Sequence, residues 1–354
     1  MFYCFREREI LNSFSLTNLD YEWDVKDIPR PEYSSDDVVL LIDGDIICFK
    51  ISSACEKKSI VVTNAKGNTK EFKTRTKFKE WCKKLGKDFN DYSIEDKKIV
   101  EPLNYCINTL NRSIDKLMLA TGATKAEFYI DGKSNFRKEL PLIDIYKDRH
   151  GERPEHLSAL KEHILRFKGG YRIKDRETDD FFQQRLYELY VARIKCIGYT
   201  NDKDAKQNYQ MDITLYNPDD GSIKTFDKGV GSLWETSAGV KGSGMKWLMF
   251  QNFLYDKVDN YCMNQFYNKQ FGEKSFFKAV QPLQTEQEVL QWCVDKWKEL
   301  LPETIEYVDC FGNQQKHDWL SLAELYFQCC YMKVYNDDTT CLKTLFEEYD
   351  VQYI

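Results

Sequence analysis

Long apolar runs are missing from the 354 residues: none approaches the ~20 needed to cross a bilayer. The opening MFYCFREREI meets charge after five residues and lacks the apolar core of a secretion signal. No C-x-x-C pair occurs among the twelve cysteines, and only Cys329 and Cys330 are neighbours. Reduced thiols are therefore expected rather than a disulfide framework or a zinc ribbon. Four histidines, His150, His156, His163 and His317, are too few and too scattered for a zinc site. An excess of positive charge is missing too, the net charge being -6, which taken alone argues against a nucleic-acid partner. These absences describe a soluble, cytoplasmic chain with no membrane partner. What is present, 42% hydrophobic and 14% aromatic residues, suits a large buried core and argues against disorder.

The distribution of charge changes the picture drawn by its sum. Residues 56–98 carry 13 Lys/Arg against 7 Asp/Glu, residues 133–176 carry 12 against 7, and residues 285–354 carry 5 against 14. An acidic chain of this kind can still present a basic face to phosphate. Solvated helix faces would give the same counts.

Residues 1–37 are polar and irregular and read as an N-terminal extension. VVLLI (38–42) is a continuous β-branched apolar run of the kind a buried parallel strand needs. Leu103, Ile107, Leu110, Ile114 and Leu117 recur at helical spacing, and TGAT ends that helix. AEFYI (126–130) and IKCIGYT (194–200) read as further strands, residues 155–168 and 178–195 as helices, and 212–227 as a hairpin. Residues 229–244 read as a loop, followed by short aromatic-rich helices. Strands alternating with helices predict an α/β domain over 38–245 with a mainly parallel sheet, and a helical region over 246–354.

RETDD (176–180) sets three acids within four positions, a pattern expected about once by chance in a chain this rich in carboxylates. Its surroundings give it weight. The first predicted strand runs into Asp43, the second into Asp131, and the third into Asp202 and Asp204. Open α/β sheets bind ligands at that carboxyl-terminal edge. A helix starting at RETDD would add Glu177 and Asp180 on one side. Carboxylates gathered this closely raise one another's pKa unless cations intervene. All-oxygen ligands favour Mg²⁺ or Mn²⁺, and two such ions suit phosphodiester cleavage. Capping and turn duties are the alternative for each acid singly.

The order of LLIDGD, YIDGKSNFRKEL, YKDRH, RETDD, TNDKD, YDKVDN and FGEKS over residues 38–280 resembles the 5′-nuclease (flap endonuclease) family, especially its bacteriophage 5′→3′ exonuclease branch. The resemblance implies a PIN-like sheet, a helical arch at about 138–172, and a helix–turn–helix-type DNA-binding module in the C-terminal helical region. It implies that Asp43, Asp131, Glu177, Asp179 and Asp180 surround one metal, and Asp202, Asp204, Asp256 and Asp259 a second. Arg137 and Lys147 match basic residues that meet the scissile phosphate, and Tyr146 matches an aromatic that stacks on a terminal base. Arg149 of the arch, with Gly272, Lys274 and Ser275 of the FGEKS turn, would contact DNA. The chain departs from the family pattern at Tyr255, where glycine is usual, in the Lys147–Arg149 spacing, and in lacking a second glycine near FGEKS.

The resemblance thus implies a 5′→3′ exonuclease or flap endonuclease with two Mg²⁺ or Mn²⁺, acting on DNA 5′ ends, flaps, and nicked or RNA-primed duplex. It would serve DNA replication, in a host cytoplasm if phage-encoded. An RNA-directed nuclease of the same fold, a non-catalytic nucleic-acid-binding replication protein and a small-molecule phosphatase are the alternatives. The acidic C-terminal residues are read as completing the helical layer.

Overall fold

The computed structural model describes residues 21–148 and 151–353. Strand β1 (Val38–Asp43) leads into α1 (Gly44–Ala54). A unit of β2 (Glu56–Asn64), β3 (Thr69–Phe72), α2 (Arg75–Lys84) and β4 (Tyr92–Val100) follows. The chain returns through α3 (Leu103–Thr121) and β5 (Lys125–Asp131). Next come α4 (Leu157–Phe167), β6 (Tyr171–Ile173), α5 (Thr178–Val191) and β7 (Lys195–Tyr199). Then β8 (Ile213–Tyr216) and β9 (Ile223–Phe226) form one hairpin, β10 (Ser232–Thr236) and β11 (Gly239–Ser243) another. Helices α6 (Gly244–Phe253), α7 (Glu273–Val280), α8 (Glu286–Leu300), α9 (Trp319–Cys330) and α10 (Leu342–Glu348) complete the chain.

The central sheet runs β6-β5-β1-β7-β8-β9, parallel except for β9. Strand β1 explains why its run is unbroken in hydrophobicity. Leu40 and Ile42 pack under α1, α3 and α4 with Leu110, Ile114, Leu160 and Ile164, whereas Val39 and Leu41 pack with Phe181, Phe182 and Leu186 of α5. Both faces are covered, so alternation of polar and apolar residues has no place there. From β1 the chain builds one side of the sheet through β5 and β6, then crosses to β7 on the other. The carboxyl ends of β1 and β7 therefore border the topological switch, the position at which such sheets take ligands.

One expectation differs from the structure. Residues 229–244 form the β10–β11 hairpin, not a loop; Gly229, Gly231, Gly239 and Gly244 all take positive φ and turn the chain between extended pieces. Within 138–172, α4 packs against the sheet's helical layer through Leu157, Leu160 and Ile164. The second core joins α6 to α10, with Phe253, Phe276, Trp297, Phe327 and Phe346 at its centre. Among the described residues, no helix is long and apolar enough to cross a membrane.

Candidate metal centre

Acids from five segments meet at the carboxyl edge of the sheet. Asp43, the last residue of β1, is buried and accepts hydrogen bonds from the N–H groups of Asp45 (2.9 Å) and Ile46 (3.0 Å), capping α1. Gly44 between them has a steric reason: a Cβ there would lie 2.7 Å from Ile130 and 2.8 Å from the Tyr129 carbonyl oxygen. The close approach of α1 to β5 brings Asp45 to accept the Asp131 N–H at 2.7 Å. Asp131 in turn accepts the N–H of Thr178 at 2.7 Å and so fixes the start of α5.

The mutual repulsion shows in the proton affinities. Burial, then Asp45, Asp131 and Asp202, push the Asp43 carboxyl well above the ordinary range. Burial, then Asp202 and Asp43, do the same to Asp179. Burial and Asp131 raise Asp45 against the pull of Lys161, whose ammonium pairs with it. Asp43, Asp45, Asp131, Asp179 and Asp202 thus share one field. Asp45 also lies in LLIDGD, but it stands in the first turn of α1 and not at the strand end, so the strand-end pattern does not mark it.

Asp204, Asp256 and Asp259 form a second group, all buried, each offering an oxygen within 4.8 Å of the others. A tight turn places the last two. Tyr255 pairs with Cys262 and Asp256 with Tyr261, and Asp256 accepts the N–H groups of Val258 (2.8 Å) and Asp259 (3.3 Å). Tyr255 donates its hydroxyl to Glu273 in the first turn of α7. Asp202 accepts the Asp204 N–H at 2.8 Å, joining the groups. Burial and Asp202 raise Asp204 to about 6. Lys203 pairs with Asp204 at 3.2 Å and also with Asp256, and Gln251 donates to Asp204. Neither Lys203 nor Gln251 was singled out from sequence; nothing in their spacing marks them.

RETDD itself divides. Asp179 turns to the acids, while Glu177 and Asp180, as their spacing suggested, share one side. That side faces a guanidinium. Arg137 is fully buried and binds Asp180 through two nitrogens (2.7 and 2.8 Å), with Glu177 at 3.4 Å. It also donates to the carbonyls of Gln328 (3.1 Å) and Tyr331 (2.7 Å), at the end of α9. Asp180 accepts the Lys333 N–H as well, at 3.0 Å. Burial alone would raise Asp180; Arg137 holds it below the ordinary carboxylate range. This differs from the sequence expectation on two counts. Arg137 meets a carboxylate where a phosphate was expected, and Asp180, expected beside a metal, has its oxygens engaged by Arg137 and the Lys333 N–H.

Tyr146 is placed differently as well. It is buried, its ring parallel to that of Tyr261, and its hydroxyl donates to Asp259 at 3.1 Å, so it has no free face for a base. Lys147 does reach the carboxylates. Its ammonium lies 2.6 Å from Glu177 and 3.6 Å from Asp259. Its backbone takes a left-handed φ of 52°, uncommon for lysine, held by an N–H bond to the Asp259 carbonyl at 2.9 Å. Against burial, which would lower it, Glu177 and Asp259 keep Lys147 protonated. Arg149 lies outside the described residues. Gly272 precedes α7 in extended conformation, and a Cβ there would meet open space. Packing therefore gives no reason for glycine, and Lys274 and Ser275 stand in the first turn of α7 beside Glu273.

The donor set fits hard divalent cations: every donor is a carboxylate oxygen, several are buried, and the raised proton affinities of Asp43, Asp45, Asp179 and Asp204 mark a deficit of positive charge.

No protein-family model matches the sequence, and no curated protein matches it. In overall structure the chain is similar to the 5′-exonuclease of bacteriophage T5. A mutant of that enzyme aligns with 10% identity and a TM-score of 0.42, over 89% of this chain and 94% of its own. The T5 5′-exonuclease with bound zinc aligns with 13% identity and a TM-score of 0.43, over 83% and 88%. A T5 flap endonuclease, in a pseudo-enzyme–product complex with DNA and metal ions, aligns with 11% identity and a TM-score of 0.44, over 88% and 97%.

Proposed function

We propose that this protein is a Mg²⁺- or Mn²⁺-dependent nuclease that hydrolyses phosphodiester bonds near DNA 5′ ends, flaps or nicks. The observation that carries the proposal is the gathering of Asp43, Asp45, Asp131, Asp179, Asp202, Asp204, Asp256 and Asp259 at one sheet edge, with the Lys147 ammonium among them. Two divalent ions held by these oxygens would supply a water of lowered pKa and neutralise charge on the leaving oxygen.

The chain's own groups do the rest. Lys147 is positioned by Glu177, Asp259 and its strained backbone, and its charge is fixed where negative charge grows on the phosphoryl oxygens. Arg137 acts through Asp180 and Glu177, anchoring the first turn of α5 and with it the direction of Asp179. It is a positioning residue in this scheme. Removal of RNA primers and flaps during replication is a setting that such an activity fits.

The test is Mg²⁺- or Mn²⁺-dependent release of product from a 5′-labelled flap, with an RNA 5′ end and a phosphate monoester compared in parallel. No cleavage of either nucleic acid under either ion would refute the proposal, and cleavage of the RNA end alone would replace DNA by RNA.

A further inference from the structure

Strands β2, β3 and β4 with α2 make a small unit between α1 and α3, with an apolar centre of its own. Ile60, Val62, Phe78 and Cys82 are buried there, and Phe72, Trp81 and Phe89 pack around them. Residues 65–91 of this unit hold nine Lys/Arg against four Asp/Glu, a local +5 in a chain of net -6. Arg75 is paired with Asp96 and Lys77 with Glu80. Lys70, Lys73, Lys79, Lys83, Lys84 and Lys87 are exposed and, among the described residues, have no carboxylate within ion-pairing distance. Three of them lie over aromatic rings: Lys70 and Lys87 over Trp81 at 4.7 and 4.9 Å, and Lys79 over Phe89 at 5.0 Å.

The apolar centre accounts for the fold of the unit, and it does not require these lysines. Lys70, Lys79 and Lys87 gain contacts with its rings, but Lys73, Lys83 and Lys84 lie over no ring and pair with no acid among the described residues, so their charge does not serve the fold. The attachment of the unit's base supplies a reason. Lys98 at the root of the unit pairs with Glu152 (3.3 Å) and Glu155 (3.2 Å), and Lys58 pairs with Glu152 (3.1 Å), in the stretch that follows Lys147. Helix α4 starts directly after, and its Lys161 pairs with Asp45 at the carboxylate edge. The unit is thus tied to the rim of the candidate metal centre.

We propose that residues 56–100 form an accessory surface that binds the phosphate backbone of the DNA entering or leaving that centre. The inference rests on the nuclease reading for its choice of ligand. Lysines on flexible stems, three of them over aromatic rings and none with a carboxylate in ion-pairing distance among the described residues, suit a polyphosphate chain read without regard to sequence.

The experiment uses the full chain with Lys79→Gln, Lys83→Gln, Lys84→Gln and Lys87→Gln combined. A control carries the same charge change at Lys269, Lys296, Lys316 and Lys343. Binding to a long-armed 5′-flap DNA is measured by anisotropy over a series of salt concentrations. The slope of log Kd against log salt should fall by roughly 0.9 for each lysine that meets a phosphate, about 3 to 4 in all. Affinity should drop at least about tenfold, and cleavage at saturating DNA should be unchanged. The two double variants, Lys79/Lys83 and Lys84/Lys87, each give about half the effect and serve if the quadruple variant does not fold. An unchanged slope, or an equal fall in the control, overturns the proposal. Loss of poly-glutamate binding with DNA binding intact also overturns it, in favour of an acidic protein partner. A wild-type chain that cleaves but shows no lysine-dependent slope refutes this inference alone. A chain that shows the slope but never cleaves refutes the enzyme reading and leaves this one standing.

Discussion

Replacing Arg137 by methionine separates what the sequence suggested for this residue from what the structure assigns. If the guanidinium met a phosphate, the variant would lose turnover and keep its stability. In the structure the guanidinium is wholly buried, binds Asp180 through two nitrogens, and satisfies the carbonyls of Gln328 and Tyr331. Methionine would leave Asp180 charged and unpaired, apart from its bond from the Lys333 N–H, and would orphan both carbonyls. Breaking a buried ion pair from one side costs about 3–5 kcal/mol, and each orphaned carbonyl adds about 1 kcal/mol or more. Part of this is relieved when Asp180, buried without its partner, takes a proton, so the loss should shrink as the pH falls from 7 toward 5. Guanidinium denaturation at pH 7 and pH 5 measures it. Arg137→Met combined with Asp180→Leu should recover part of the loss, not all, because the carbonyls stay unpaired. A loss below about 1 kcal/mol at pH 7, with turnover reduced a hundredfold or more, would refute the structural assignment and restore the phosphate contact.

Lys147→Ala should lower the single-turnover rate by about 10²–10³ while leaving Kd for DNA within a few-fold; a pure loss of affinity would refute its electrostatic role. Gly44→Ala should destabilise the protein by about 1–3 kcal/mol, read by denaturant titration, because its Cβ would press on the Tyr129 carbonyl; no change would mean that α1 shifts freely. Chelator-treated protein should lose stability as pH rises from about 4 through 6. Asp204 is raised to about 6, so the folded state binds the extra proton below that pH, and its share is about 3 kcal/mol. Adding Mn²⁺ at pH 7 should raise the thermal midpoint by mass action on the folded state, and an unchanged midpoint would argue against a metal site.

Much of the arrangement was legible in the chain. An unbroken apolar strand ending in aspartate is local information, because burial on both faces removes alternation and the residue after the strand falls at the sheet's edge. That reasoning placed Asp43 and Asp131 at the sheet's edge, with Asp202 and Asp204 just past β7, and helical spacing located α3. The hairpin at 232–243 escaped it, since short strands rich in glycine give little periodicity. So did the fold of the inserted basic unit: its charge was visible, but its sheet depends on pairing β2 with a strand some thirty residues later.

Sequence by itself determined which residues could carry the chemistry, because residue type and position along a strand or helix are properties of the local chain. Which of them face one another was decided only by tertiary structure. Arg137 is separated from Gln328 and Tyr331 by nearly two hundred residues, yet these carbonyls and Asp180 enclose it. Their closure turned an expected phosphate contact into a buried counter-ion. Lys147 lies ten residues further on, and the turn at Asp256–Asp259 left its charge facing the acids. Two basic residues from neighbouring motifs thus parted roles because burial, a long-range property, differs between them.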